Sequence, residues 1–356
     1  MNIHVLCKRY YTNKDLLKDR FGRLYHLPVQ LSRLGAKVTV TAIDYRNPRV
    51  FSLEAGDVTF RTAPATFGRL PRLVPTLYRE IRRSQPDVLI ASGDSHIGYL
   101  GLRIARKLGA RFVFDVYDYY PVFPGNRIPG MKAMFRNAVR HADLVLGASD
   151  PLVQRLAPAN PRTILIENGV DRSFFKPGNK EEARSSLGLS TTGPIIGFFG
   201  SVAPSKGPLL IVACGILAES WPSLRLLLAG RVSGVDIDRP WIRYFGELEQ
   251  REIPQLIAAC DVVVVPLAHD PQNDLSGACK IAEYLACGKP VVATRLAGHE
   301  GIFRTTPDSI CEPDPTDMAR AIKTQLEYPK STRFPEKMAW EWIGARLYHA
   351  VKHLGT

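Results

Sequence analysis

The stretch "SGACKIAEYLACGKPVVAT" (276–294) sets Lys280 and Glu283 three residues apart, just behind a Ser-Gly-Ala entry. A helix beginning near Ser276 puts both side chains on one face, close to its own opening. The amides of Gly277, Ala278 and Cys279 then point out of the N-terminus, and with the helix dipole they form a site for a phosphate group. Gly277 permits close approach because it lacks a Cβ. A carboxylate there suits the two hydroxyls of a ribose, and an ammonium suits phosphate oxygens. The plainer alternative is a surface ion pair on a helix capped by Gly288.

Two further stretches carry candidate chemistry. In "GFFGSVAPSKG" (197–207) a buried strand breaks into a Gly-Ser loop, with Lys206 and Gly207 before a helix. Such loops bring backbone amides and a lysine to an anion at a strand's carboxyl end. GxxxxGK[ST] is missing, so ATP hydrolysis is not indicated. "ASGDSHIGYLG" (91–101) puts Asp94 and His96 just past another strand. His96 can carry a proton near neutral pH and Asp94 can orient an acceptor hydroxyl, although an Asp here also fits a helix N-cap.

These residues need elements to hold them. Short apolar runs alternate with helical patterns, which predicts an α/β protein with parallel, doubly wound sheets. The strands are expected at "NIHVL", "KVTVTAI", "DVLIAS", "RFVFDV", "DLVLGAS" and "TILIEN", then at "PIIGFFG", "LRLLLAG", "IRYFG", "DVVVVPL" and "PVVAT". "GRLYHLPVQLSRLG" and "GYLGLRIARKLG" read as helices ending in Gly. The chain of 356 residues is long for one core, so two domains are expected. The boundaries read as 1–172, a linker over 173–193 with one short helix, a second domain over 194–335, and an aromatic-rich helix over 336–356 crossing back to the first.

The first strand is followed by "CKRYYTNKDLLKDRFG" without GxGxxG, which disfavours a nicotinamide or flavin site. Six scattered cysteines form no CxxC or Cys/His cluster, so neither zinc nor a disulfide framework is expected and a reducing compartment fits. Neither a signal peptide nor a run of 18 apolar residues is visible, so a cytoplasmic protein is expected.

"FFGSVAPSKG", "LRLLLAG", "IRYFGELEQREIPQLIAACDVVVVPL" and "KIAEYLACGKPVVAT" resemble, in order and spacing, the retaining glycosyltransferases of family 4. "GRLYHLPVQLSRLGAKVTV", "RFVFDVYDYYP" and "IENGVDRSFFKP" are similar to motifs of that family's first half. The resemblance implies a GT-B fold, with two Rossmann-like domains facing a cleft and the nucleotide-sugar held by the second. It implies that Lys206 neutralises the donor diphosphate, that Gly200 and Ser201 line it, and that Glu283 binds the ribose hydroxyls. Ser276 and Gly277 would stand in the turn touching the distal phosphate or the sugar. Gly22 would face the donor from the first domain, and Phe245, Gly246 and Glu247 would lie beside the nucleobase.

The pattern is altered at three points. The family often has Arg where Ser201 stands, which leaves Lys280 as a substitute cation. The first acid of its Glu-x7-Glu motif falls on Leu275, with Asp274 adjacent as a stand-in for the sugar contact. The usual His of the "VHD" element is Tyr117, followed by Asp118 as the remaining catalytic candidate there.

The resemblance thus implies transfer of a sugar from a UDP- or GDP-sugar to an acceptor hydroxyl with retention, without metal or other cofactor. Residues 1–173 hold 27 Lys/Arg against 14 Asp/Glu, while residues 174–356 hold 20 against 20, so the net +13 lies wholly in the first half. That balance points to an anionic partner. The expected acceptor is a polyprenyl-diphosphate-linked or other saccharide in bacterial surface polysaccharide assembly, met by a protein peripheral on the anionic inner face of the plasma membrane. A GT-B nucleotide-sugar epimerase is the first rival. A basic nucleic-acid-binding protein is the second, and no binding module supports it.

Overall fold

Strands such as "VLIAS" (88–92) and "VVVV" (262–265) are dominated by apolar residues and buried at every position, so each must be covered on both faces. The computed structural model, which describes residues 1–11, 14–277 and 279–354, meets that demand with two units, each a parallel sheet between helical layers.

The first unit comprises Met1–Gly169, Leu275–Gly277 and the chain from Trp340. Its strands are β1 (Asn2–Lys8), β2 (Lys37–Asp44), β3 (Ser52–Ala55), β4 (Val58–Pro64), β5 (Val88–Ser92), β6 (Arg111–Val116), β7 (Leu144–Gly147) and β8 (Thr163–Leu165). They are ordered β8-β7-β6-β5-β1-β2-β4-β3, all parallel except the β3–β4 hairpin. That hairpin was not expected; its outer strand is only four residues long and partly exposed, so it carries little signal. The helices that matter here are α1 (Arg23–Arg33), α2 (Leu70–Arg83), α3 (Ser95–Leu108), α4 (Met131–His141) and α5 (Asp150–Leu156).

The second unit comprises Val170–Asp274 and, among the described residues, 279–339. It contains α6 (Lys180–Ser186), β9 (Ile195–Phe199), α7 (Gly207–Ser220), β10 (Arg225–Ala229), β11 (Ile242–Tyr244), α8 (Ile253–Ala259), β12 (Val262–Val265), α9 (Cys279–Ala286), β13 (Val291–Thr294), β14 (Ile310–Cys311) and α10 (Pro315–Glu327). Its sheet runs β11-β10-β9-β12-β13-β14, entirely parallel. Alternation divides the strands between two cores: Ile195, Phe199, Val263 and Val265 face one side, and Ile196, Phe198, Val262 and Val264 the other.

The segment expected as a linker folds onto the second unit instead. Asn179 caps α6 by accepting from the Glu181 and Glu182 amides. From α6 the buried Arg184 reaches Asp261 at 2.6 Å and the Ala259 carbonyl at 2.9 Å. A buried guanidinium requires such partners, and they tie the segment to α8 and β12.

The last helix, α11 (Trp340–Lys352), crosses back to the first unit as expected. Trp340 stacks on His26 at 5.1 Å between centroids, and Ile343, Leu347 and Val351 are buried beside α1. The crossing is close: a Cβ on Gly344 would meet the Gln30 Cβ at 2.3 Å, so only glycine fits.

Beneath α1 lies a buried ion pair. Arg23 donates to Asp115 at 2.6 and 3.1 Å and to Asn168 at 3.0 Å, and the Ser92 hydroxyl donates to Asp115 at 2.8 Å. Burial works against the charged guanidinium, but Asp115 outweighs it and holds the Arg23 pKa above its usual value. The bond joins α1 to β5, β6 and the chain after β8. Removing one partner leaves a buried charge alone, so Asp115→Ala should lower unfolding stability in urea by about 3–5 kcal/mol. A loss below about 1 kcal/mol would mean that solvent reaches Arg23.

Candidate active site in the second unit

Three adjacent parallel strands, β9, β10 and β11, each run out into a glycine at or just beyond the carboxyl end: Gly200, Gly230 and Gly246. The glycines continue the ladder. The Gly200 amide donates to Ala229 at 2.8 Å and the Gly230 amide to the Gly246 carbonyl at 2.7 Å. Gly230 has φ +123, and a Cβ there would lie 2.3 Å from the Gly200 carbonyl oxygen. No L side chain fits both the space and the dihedral. A bare backbone edge results, where a ligand can approach without meeting side chains.

Helix α9 is fastened to that edge. The Phe199 amide, at the end of β9, donates to the Tyr284 hydroxyl at 2.9 Å. One turn earlier on α9, Lys280 donates to Glu283 at 2.7 Å, and a Cβ on Gly200 would sit 3.7 Å from the Lys280 Cε. Glu283 is buried, whereas Lys280 is about a third exposed, with side-chain accessibilities of 4% and 36%. Burial of the ammonium acts to lower its pKa, but the Glu283 carboxylate prevails and raises it, so Lys280 stays charged. A bland surface pair would leave both partners in water; here the carboxylate is inside.

The loop after β9 holds the other expected donor residues. Ser201 is exposed and Lys206 half-buried at the N-cap of α7. The Lys206 and Gly207 amides both donate to the Ala203 carbonyl, at 2.9 and 2.8 Å, which closes the turn into the helix. Ser205 accepts from the Ala268 amide at 2.9 Å, which ties this loop to the one after β12. Beyond β11, Phe245 and Gly246 are partly covered and Glu247 is exposed.

Two expectations shift. Ser276 and Gly277 are not helical, and among the described residues α9 begins at Cys279: Gly277 is a poor helix former, and Leu275–Gly277 groups with the first unit. Ser276 and Gly277 are therefore not part of the helix's N-terminus, and Ala278 lies outside the described residues. Asp274 pairs with His269 Nδ1 at 2.7 Å, within a loop that Asp270 folds by accepting from the Gln272 and Asn273 amides. His269 was missed by sequence reasoning and only this turn reveals it. Gly230 was legible, since "LRLLLAG" repeats the strand-then-Gly pattern of "IIGFFG".

The first unit has its own cluster at the carboxyl ends of β1, β2 and β5. Asp94 stands at the N-cap of α3 but its side chain caps nothing; it pairs with Lys8 at 3.1 Å. His96 Nε2 shares a hydrogen bond of 2.6 Å with the Tyr45 hydroxyl. Burial lowers the His96 pKa more than Asp94 raises it, which keeps the ring neutral and able to accept a proton at neutral pH. Asp94 and His96 thus have separate partners, neither anticipated from sequence. Asp118 is half-buried after β6, and the preceding Tyr117 is buried with a hydroxyl that finds no partner among the described residues. Gly22 (φ +66) opens α1 with the Tyr11 ring against it, 2.7 Å from where a Cβ would stand.

The pairing in α9 can be tested on stability. Lys280→Met leaves the buried Glu283 carboxylate without its cation. The variant should then lose stability as pH climbs through the carboxylate range and regain it on acidification. At pH 7 the deficit should be about 2 kcal/mol, less than for a fully buried pair because Lys280 is partly solvated. A deficit independent of pH between 4 and 8, in urea titrations, would show that Glu283 does not depend on Lys280.

Two family models match the chain in succession: Glycosyltransferase Family 4 over residues 23–174, and Glycosyl transferases group 1 over residues 193–327. A D-inositol 3-phosphate glycosyltransferase of Segniliparus rotundus is 31% identical over 155 residues, 39% of this chain and 33% of its own length. A GDP-mannose-dependent alpha-mannosyltransferase of Mycobacterium tuberculosis is 30% identical over 243 residues, 64% of this chain and 61% of its own. The match thus spans a third of the first relative and less than two thirds of the second. Among solved structures, Anabaena HepE in complex with UDP and glucose superimposes with a TM-score of 0.75 at 18% identity, covering 99% of this chain and 100% of that one. The chain has the GT-B fold and resembles, in both of its halves, the glycosyltransferases of family 4.

Proposed function

We propose that the protein transfers a sugar from a nucleoside-diphosphate sugar to an acceptor hydroxyl with retention of anomeric configuration. The observation that carries this reading is the buried Glu283 paired with Lys280 beside the bare glycine end of β9. A carboxylate has lone pairs enough to accept from Lys280 and from two ribose hydroxyls together. Lys280 and Lys206 supply cations for the diphosphate, and Gly200 and Gly230 let it lie against the backbone. Phe245 offers a ring edge for the nucleobase. The structure of HepE with UDP and glucose, and the GDP-mannose dependence in the mycobacterial relative's name, support a nucleotide-sugar as donor class.

As the glycosidic bond to the diphosphate breaks, negative charge grows on the leaving group while the sugar becomes oxocarbenium-like. Lys206, assisted by the N-terminal amides and dipole of α7, stabilises that charge, and no metal is assigned to the task. In the first unit, Asp94, His96 and Asp118 are the groups proposed to serve the acceptor. Neutral His96 can take the hydroxyl proton, with the Lys8–Asp94 pair orienting the acceptor. We assign the acceptor to lipid-linked saccharides of surface polysaccharide assembly, because the basic excess of the first half suits a diphosphate linker.

Lys206→Ala should cut turnover at least about 100-fold, the scale of one transition-state charge contact. The measurement is product formation by a folded variant, with NMR of the product's anomeric configuration. Unchanged turnover, or inversion, would defeat the reading. Donor converted with no acceptor present would instead make the protein an epimerase.

A further inference from the structure

The structure separates the basic residues of the first unit that have acidic partners from those that do not. Arg9 is held by Asp15 and Asp44, both at 2.8 Å, Lys8 by Asp94, and Arg23 by Asp115. In "YREIRRSQ", Glu80 takes Arg83 at 2.9 Å and Arg61 at 3.5 Å. In contrast, Arg46, Arg49, Arg69 and Arg72 are all exposed, and none has an ion-pair partner among the described residues.

These four arginines leave one edge of the sheet. Strands β2 and β4 are parallel neighbours, with Asp44 opposite Pro64, so loop 45–51 and the approach to α2 start side by side. The Ala65 amide donates to the Asp44 carbonyl at 2.7 Å where they part. The buried Asp44 carboxylate takes the Arg46 and Asn47 amides, each at 2.9 Å, as well as Arg9, which makes the base of the loop rigid. Residues 45–53 and 65–79 together contain five arginines and no Asp or Glu.

Apolar side chains are exposed along the same two stretches: Tyr45, Val50, Phe51, Phe67, Leu70 and Val74, with Phe67 at 93%. The reason lies in α2. Leu70, in the first turn, continues the helical stripe that Leu73, Leu77 and Ile81 bury in the core but lies beyond its end, and Val74 flanks that stripe, so both are exposed. The stripe overhangs, and Phe67 stands beyond it. Such a patch marks a contact surface rather than scattered surface residues.

We infer that this edge docks on an anionic lipid bilayer, with Phe67, Leu70 and Val74 entering the headgroup boundary and Arg46, Arg49, Arg69 and Arg72 meeting lipid phosphates. A polyanion such as nucleic acid would use the arginines and leave the aliphatic stripe in water. A bilayer uses both, and an acid-free basic surface is complementary to it. No helix among the described residues is long and apolar enough to cross a membrane, so the surface is one of peripheral attachment. The patch borders the proposed acceptor residues through the Tyr45–His96 hydrogen bond of 2.6 Å. An acceptor anchored in the bilayer would thus present its headgroup at the right edge. That last step rests on the transfer reading; the docking itself does not.

The test is sedimentation of the full chain with vesicles of phosphatidylcholine alone, or of phosphatidylcholine with about one third phosphatidylglycerol, at ~0.15 M salt. The protein should bind the anionic vesicles and release as salt rises. Phe67→Ser with Leu70→Ser, and separately Arg69→Glu with Arg72→Glu, should each weaken partition at least about tenfold. Arg82→Glu with Arg83→Glu, at the other end of α2, should leave it within about twofold. Thermal melting of each variant, with and without nucleotide-sugar, shows whether both units remain folded. Equal binding to both vesicles, or full binding by the patch variants, overturns the proposal. So does a dimer in light scattering that Phe67→Ser dissolves, or nucleic-acid binding that needs the same residues in the absence of vesicle binding. Loss of sugar transfer would leave the sedimentation outcome untouched, so the two readings fail separately.

Discussion

The hydrogen bond from the Phe199 amide to the Tyr284 hydroxyl decides where helix α9 stands against β9. A parallel strand that runs past its neighbour has amides left without a ladder partner, and a buried one must find an acceptor. Here the acceptor is a side chain on the helix that also carries Lys280 and Glu283. Satisfying the backbone therefore places an ion pair at the strand's end. Burial pushes the Tyr284 phenol well above its usual pKa, so the hydroxyl stays protonated as a fixed feature of the core.

The glycines at the ends of β9, β10 and β11 follow from the same economy of space. Three strands in register end together, and the backbone of one comes so near the next that Gly230 admits no Cβ. The edge is bare because of packing. In the proposed reading, stability and binding draw on one arrangement, in which the buried Glu283 carboxylate is paired with Lys280 beside that edge.

In the first unit the charges do two different jobs. The Arg23–Asp115 pair is wholly inside and joins α1 to the strands beneath it. The Lys8–Asp94 pair is partly solvated at a carboxyl edge, where its groups can exchange partners. Next to it the sheet edge turns outward into loop 45–51 and the start of α2, where Arg46, Arg49, Arg69 and Arg72 have no ion-pair partner among the described residues. Basic residues of the first unit thus differ by position: Arg23 locks a helix to the strands inside, whereas Arg46, Arg49, Arg69 and Arg72 stay exposed at the edge.

Much of this could be read from the sequence. The doubly wound architecture, the break between units near 170, the return of the last helix and the pairing of Lys280 with Glu283 all follow from local pattern, because strand and helix periods and i,i+3 spacing are properties of neighbouring residues. The hairpin at 52–64, the helix start at Cys279, the His269–Asp274 pair and the separate partners of Asp94 and His96 did not. Each depends on which atoms distant segments bring within about 3 Å, and spacing along the chain carries no record of that. What the sequence determined was therefore which residues could do the chemistry. Which of them are buried, paired or left exposed was decided only when the sheets assembled, since burial and hydrogen bonding set the charge state of every group at the site.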